Sequence, residues 1–257
     1  MSILEAIILG VIQGLTEFLP ISSSGHLVLS QSLLGINQPG NEFEVLVHIG
    51  TLMSVFVIFK KDIIKLLTSL SSKSTQLFLI YIIIGSFPAA FIGLGFKDIL
   101  ESFFDNMFVV SISLIFTGLI LYSTSIIKRK QNKDLILFNS IFIGVAQAIA
   151  IIPGISRSGM TISIALLLGI SPKIAAKYSF LLAIPVISGA GLLTALDNSS
   201  STQIFSVNSF AGMITAFLVG VIALKWLLRM LERGKLHYFG IYCISIGLVS
   251  FLYHGYS

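Results

Sequence analysis

The chain has 257 residues, 55% of them apolar and only 11% charged, and its mean hydropathy is +0.99. A soluble domain has too little interior to hide that much hydrocarbon, so the composition excludes a water-soluble globular protein and implies a helical membrane protein. The net charge of +5 is accounted for by basic loops against anionic lipid headgroups, and no nucleic-acid partner is expected.

The first apolar stretch, residues 3–19, precedes any basic residue, the first being Lys60. It therefore lacks the positive start of a signal peptide and is expected to belong to the mature fold. Pro20 and Ser22-Ser23-Ser24-Gly25 stop it, and a second apolar run, residues 27–34, follows at once. Proline removes a helix donor while serine and glycine favour turns and helix starts, so this segment reads as a re-entrant hairpin. Irregular backbone at membrane depth survives only inside protein or beside a watery cavity.

Next come a short span at residues 45–59, which Phe43 and Glu44 extend toward the interface, and two full spans at 76–96 and 107–127. Residues 135–152 repeat the first pattern: Pro153-Gly154 and Ser156-Arg157-Ser158-Gly159 stop them before a second run at 162–168. Three more spans follow, at 174–196, 209–231 and 238–254, the second with Lys225 and Arg229 at its cytoplasmic end. The expected fold is all-α, a polytopic bundle of about six full spans plus two re-entrant helical hairpins. Cys243 is the only cysteine, which excludes an internal disulfide and a cysteine-rich metal cluster.

Four basic clusters hold 14 of the 16 lysines and arginines: Lys60 to Lys73; Lys128, Arg129, Lys130 and Lys133; Lys173 and Lys177; and Lys225 to Lys235. Placing all four in the cytoplasm makes every span alternate correctly and puts both termini outside.

The two hairpins align when the chain is shifted by 134 positions. Gly10-Val11 meets Gly144-Val145, Gln13 meets Gln147, Ile21-Ser22 meets Ile155-Ser156, and Ser24-Gly25 meets Ser158-Gly159, seven matches in 17 positions. Chance likeness of two greasy stretches would match isoleucine and leucine, not glycine, glutamine and serine. The chain therefore reads as one membrane domain with repeat halves at about 1–133 and 134–257. Each half carries a hairpin and three spans, an odd number of crossings, so the second half is inverted and the hairpin tips meet near the midplane, where such repeats build their sites.

The site should combine both tips. Gln13 and Glu17, four apart on a helix, share a face and can grip one cation or one substrate group. A carboxylate at depth costs about 2.5–3.5 kcal/mol on insertion scales, which argues for a function or for an ion pair with Arg157. Gly10 and Gly14 are spaced for helix packing. Ser22, Ser23, Ser24 and Gly25 cap the helix carrying His26, and hydroxyls with free N–H groups at a helix start suit phosphate oxygens. His26 can serve as base or nucleophile toward phosphorus. Arg157 is the one basic residue expected deep in the membrane, and its guanidinium matches phosphate; Ser156, Ser158, Gly159 and Thr161 add hydroxyls or a close backbone, though capping explains each serine and threonine equally well. Glu44 and His48 read as interfacial anchors. There is no P-loop, no zinc-binding His-Glu-x-x-His and no complete nucleophile elbow.

The run Gln13-Gly14-Leu15-Thr16-Glu17-Phe18-Leu19-Pro20-Ile21-Ser22-Ser23-Ser24-Gly25-His26, with Pro153-Gly154-Ile155-Ser156-Arg157-Ser158-Gly159, resembles the two motifs of the undecaprenyl-diphosphate phosphatase family, a bacitracin-resistance type of integral membrane phosphatase. The resemblance implies a bacterial inner-membrane hydrolase that converts undecaprenyl diphosphate to the monophosphate, recycling the carrier of cell-wall synthesis, with its site open to the outer face. It also implies a divalent cation, Mg²⁺ or Ca²⁺, held by Glu17 and Gln13. Gln13 stands where some members have glutamate, and a neutral amide is a weaker ligand. The expected partners are the prenyl diphosphate and membrane lipids. The nucleophile stays open between His26, Ser23 and water, and the oligomeric state, a homodimer included, is also open. From another class, a secondary transporter or lipid flippase would use the same inverted repeat.

Overall fold

The computed structural model describes residues 1–36, 42–104, 106–126, 133–197 and 206–255, and among them the chain is all helix apart from one isolated bridge between Lys133 and Ile170. The helices are α1 (Ile3–Thr16), α2 (Ser23–Leu34), α3 (Glu42–Ile58), α4 (Lys60–Thr68), α5 (Lys73–Gly95), α6 (Lys97–Phe104), α7 (Met107–Ser123), α8 (Leu137–Ile149), α9 (Arg157–Leu167), α10 (Pro172–Asp197), α11 (Val207–Glu232) and α12 (His237–Gly255). The basic residues Lys128, Arg129 and Lys130 and residues 198–205 lie outside the described residues.

Both expected breaks are present. α1 opens on a capping box between Ser2 and Glu5 and stops at Thr16, where the turn from Glu17 to Ile21 begins; α2 starts after Ser22, whose hydroxyl accepts from the Gly25 N–H. α8 stops at Ile149, and α9 starts after Ser156, which caps Gly159 in the same way.

Among the described residues, four helices are long and apolar enough to cross a membrane: Lys73–Gly95, Met107–Ile126, Pro172–Leu193 and Val207–Glu232. The stretch read as a span at 45–59 qualifies only as the pair α3 and α4, which bend by 72° at Phe59. Lys60 and Lys61 head α4 and cannot continue into hydrocarbon, so the chain turns there. The apolar part of α12, His237–Tyr253, is shorter than the four long helices. The amphipathic α4 and α6 were not anticipated as separate elements.

Small residues set the helix contacts. α1 packs on α11, α5 on α8 and α7 on α12. At the first contact Gly10 faces Gly212; at the second Gly144 lies on the Gly85 backbone; at the third Gly118 meets Gly240. Lipid offers no hydrophobic gain for helix association, so close backbone approach through such residues is what holds the bundle. A Gly144→Leu change should cost about 1–3 kcal/mol and lower the melting temperature in detergent. Gly95→Ala, where a methyl meets nothing within 4 Å, should be neutral.

The core lies between α1, α9, α10 and α11, where Phe18, Ile162, Tyr178, Phe180 and Leu224 are fully buried. Tyr178 and Ser140 both donate to the Tyr81 carbonyl at 2.6 Å, tying α10 and α8 to α5. Lys177 pairs with Asp62 at 2.5 Å and fastens α4 to α10.

Candidate active site

The two breaks touch. A Cβ on Gly25 would lie 3.1 Å from the Gly154 Cα, and one on Gly159 would lie 3.3 Å from Pro20 Cβ, so a side chain at either position would press the turns a few tenths of an ångström apart. Gly154 itself has φ of +90°, which glycine adopts without steric cost. Thr117 of α7 holds the second turn, donating to the Gly154 carbonyl at 3.0 Å and accepting from the Ser156 N–H at 3.1 Å.

A cavity of about 490 Å³ opens against the joined turns. Its polar wall carries Glu17, Ser22, Ser23, Ser24, His48, Ser156 and Arg157; its apolar wall carries Val45, Phe104, Ile151, Val186 and Ile187. Glu17 is the centre of the polar wall and is only 6% exposed. Arg157 donates to its Oε1. Its Oε2 accepts from Ser23 Oγ at 2.7 Å and from Gln13 Nε2 at 3.0 Å, with His48 Nε2 at 3.6 Å.

The residues singled out in the sequence fall into three groups. Glu17, Ser23, Arg157, Ser22, Ser24 and Ser156 share the cavity wall. Gln13, Gly25, Ser158, Gly159 and Thr161 stand behind it: Gln13 braces Glu17, the glycines let the turns meet, Ser158 lies 3.3 Å from Ser156 Oγ, and Thr161 bonds the Arg157 carbonyl at 2.8 Å and Ser179 at 2.6 Å. His26 does not line the cavity. Its Nδ1 is 2.8 Å from the Ser22 carbonyl and so donates to it, which leaves Nε2 to accept from Tyr242 OH at 2.9 Å. The imidazole also stacks on that ring, with centroids 5.7 Å apart.

Sequence reasoning missed three wall residues. His48 and Glu44, four apart on α3, were read as anchors but both line the cavity, and their shared helical face was the available signal. Gln147 was noted only as the counterpart of Gln13. Among the described residues no three His, Cys, Asp or Glu side chains stand close enough to cage a metal. The oxygens on offer include the Glu17 and Glu44 carboxylates on the wall and, behind Glu17, Gln13 Oε1, which is buried without a hydrogen-bond partner. That donor set fits an ion that takes most of its ligands from phosphate and water, as Mg²⁺ commonly does.

Fold and site together define a multi-pass helical membrane protein with a buried carboxylate, a serine and a guanidinium facing one cavity that is polar on one wall and apolar on the other. The chain belongs to the family Bacitracin resistance protein BacA, which it matches over residues 6–249. It is 42% identical to the undecaprenyl-diphosphatase of Halothermothrix orenii over 259 residues, covering 99% of both chains. It is also 40% identical to undecaprenyl-diphosphatase 1 of Bacillus cereus, covering 98% of this chain and 97% of that one, and 40% identical to the undecaprenyl-diphosphatase of Korarchaeum cryptofilum, covering 96% and 98%.

Proposed function

We propose that this protein hydrolyses undecaprenyl diphosphate to undecaprenyl phosphate and inorganic phosphate, recycling the lipid carrier and conferring bacitracin resistance. The near full-length likeness to undecaprenyl-diphosphatases supports the reaction. The observation that carries the mechanism is the 2.7 Å bond from Ser23 Oγ to Glu17 Oε2. It pairs a nucleophile with a base that a third group, Arg157, already orients.

In this mechanism the prenyl chain lies along the apolar wall and the diphosphate meets Arg157, Ser22, Ser24 and Ser156. Arg157 turns part of its guanidinium to the phosphate oxygens, which releases Glu17 to take the Ser23 proton. Ser23 Oγ then forms a bond to the terminal phosphorus as its bond to the bridging oxygen breaks, and undecaprenyl phosphate leaves. Glu17 passes the Ser23 proton to the departing undecaprenyl phosphate. It then takes one from water as the water oxygen bonds to phosphorus and gives it to Ser23 Oγ as the Ser23–phosphorus bond breaks, releasing inorganic phosphate. Arg157 and the hydroxyls stabilise charge on the transferred group. Glu17 and Gln13 would hold a divalent cation, which would supply further neutralisation of that charge. His26 positions the nucleophile through the Ser22 carbonyl.

The same reading takes the fold as six crossings and two re-entrant hairpins, in halves inverted about the joined turns, in the bacterial inner membrane with termini and site on the outer side. In support, α1, α2 and α5 begin at residues 3, 23 and 73, and α8, α9 and α11 begin 134 positions later. The packing of α1 on α11 also mirrors that of α8 on α5.

Purified protein in detergent should release phosphate from a long-chain prenyl diphosphate in Mg²⁺ or Ca²⁺, and excess chelator should abolish release. Folded protein that binds the lipid but never releases phosphate, under any divalent cation, would turn the reading toward a lipid transporter.

A further inference from the structure

Gln147, in the last turn of α8, is 2% exposed and lines the cavity, yet neither Oε1 nor Nε2 has a hydrogen-bond partner. A buried carboxamide with no partner is rare, because its desolvation goes uncompensated. The alignment explains why it is orphaned. Its counterpart Gln13 donates to Glu17 four residues on, at 3.0 Å, but the residue four beyond Gln147 is Ile151. The second hairpin has kept the amide and has no acceptor for it.

The surroundings say what the amide can meet. Of the cavity wall, α8 and the residues just after it contribute Gln147, Ala150 and Ile151. The C-terminal end of a helix presents carbonyl oxygens, which repel an anion. Gln147 Nε2 is thus the one side-chain donor this wall offers, on the same cavity as the Arg157 guanidinium and the Ser156 hydroxyl.

We propose that Gln147 is a substrate-binding residue whose side-chain amide donates a hydrogen bond to a phosphate oxygen of the diphosphate headgroup. The assignment rests on the reading of this cavity as the diphosphate site. Headgroup and amide satisfy each other on binding. A site with a buried donor waiting for one acceptor discriminates strongly against ligands lacking it.

Two variants and two probes test this. Purified wild type, Gln147→Met and Gln147→Glu would be melted in detergent alone, with a prenyl methylenediphosphonate that cannot be cleaved, and with inorganic phosphate. Wild type should be stabilised by the phosphonate through mass action. Q147M, matched in volume, should melt without ligand at or above the wild-type temperature, lose most of the phosphonate-induced shift, and show kcat/KM reduced about 10- to 100-fold. Q147E, isosteric but without the donor, should lose at least as much. A shift with inorganic phosphate that only wild type shows would mean the amide serves the phosphate group itself; a shift confined to the phosphonate would mean it serves the lipid-borne headgroup. A drop in the ligand-free melting temperature of Q147M with its shift intact would make the residue structural and overturn the inference. Q147E binding as well as wild type would overturn the donor role. If the phosphonate does not stabilise wild type, the diphosphate reading of the cavity falls first, and this inference with it.

Discussion

Ser23→Ala should reduce phosphate release from a prenyl diphosphate by about 10³-fold or more, because removing a nucleophile forfeits the covalent route entirely. The variant should stay folded, since Ser23 Oγ makes one bond, to a Glu17 that still keeps Gln13 and Arg157. His26→Ala should do less, about 10- to 100-fold. It removes the bond to the Ser22 carbonyl and the contact with Tyr242, and so loosens the turn that aims Ser23 without touching the phosphate. Acid quenching of wild-type turnover followed by peptide mass analysis should find phosphate on the Ser23 peptide. If His26→Ala proves as inactive as Ser23→Ala should be, and the adduct sits on His26, the nucleophile is the imidazole.

The breaks and their chemistry were legible because proline, serine and glycine act through local backbone physics. Pro20, Pro153 and Gly154 lie just past the ends of α1 and α8, beside the serines Ser22 and Ser156 that cap the helices that follow, whereas Pro88 and Pro185, without such serines, sit inside α5 and α10. The pairing of Glu17 with Arg157 was also readable as the bland alternative for two charges at depth, and the structure places them in contact.

What the sequence hid depends on tertiary geometry or on silent backbone. Ser22 has φ of +69° and is the one non-glycine residue in the left-handed region among the described residues. A glycine there would have announced the turn, whereas serine conceals it, and this turn sets the phase of α2 that sends His26 to Tyr242. The bend at Phe59 carries no proline or glycine, so α3 read as a short span ending there and α4 only as a basic cluster after it. His48 reaches Glu17 only because α3 lies beside α1, and no spacing within α3 reports that.

Arg157→Ala should fail twice, in stability and in turnover, and the two losses can be separated. Glu17 has a side-chain exposure of 4% and Arg157 of 18%, so removing the guanidinium leaves a buried carboxylate without its countercharge. Breaking such a pair from one side costs about 3–5 kcal/mol, visible as a lower melting temperature in detergent. Replacing both partners at once, Glu17→Gln with Arg157→Met, removes the stranded charge along with its partner, and the melting temperature should return to near the wild-type value. Activity should not return. A guanidinium that neutralises a transferring phosphoryl group is worth about 10³–10⁵ in rate, and the double variant lacks both it and the base. Stability restored without turnover would mean that the pair is kept for chemistry. A double variant that melts as low as Arg157→Ala would mean instead that the ion pair is a fastening between the two hairpins. Single variants that already abolish all release, with the double no worse, would identify the two residues as one working unit whose effects do not add.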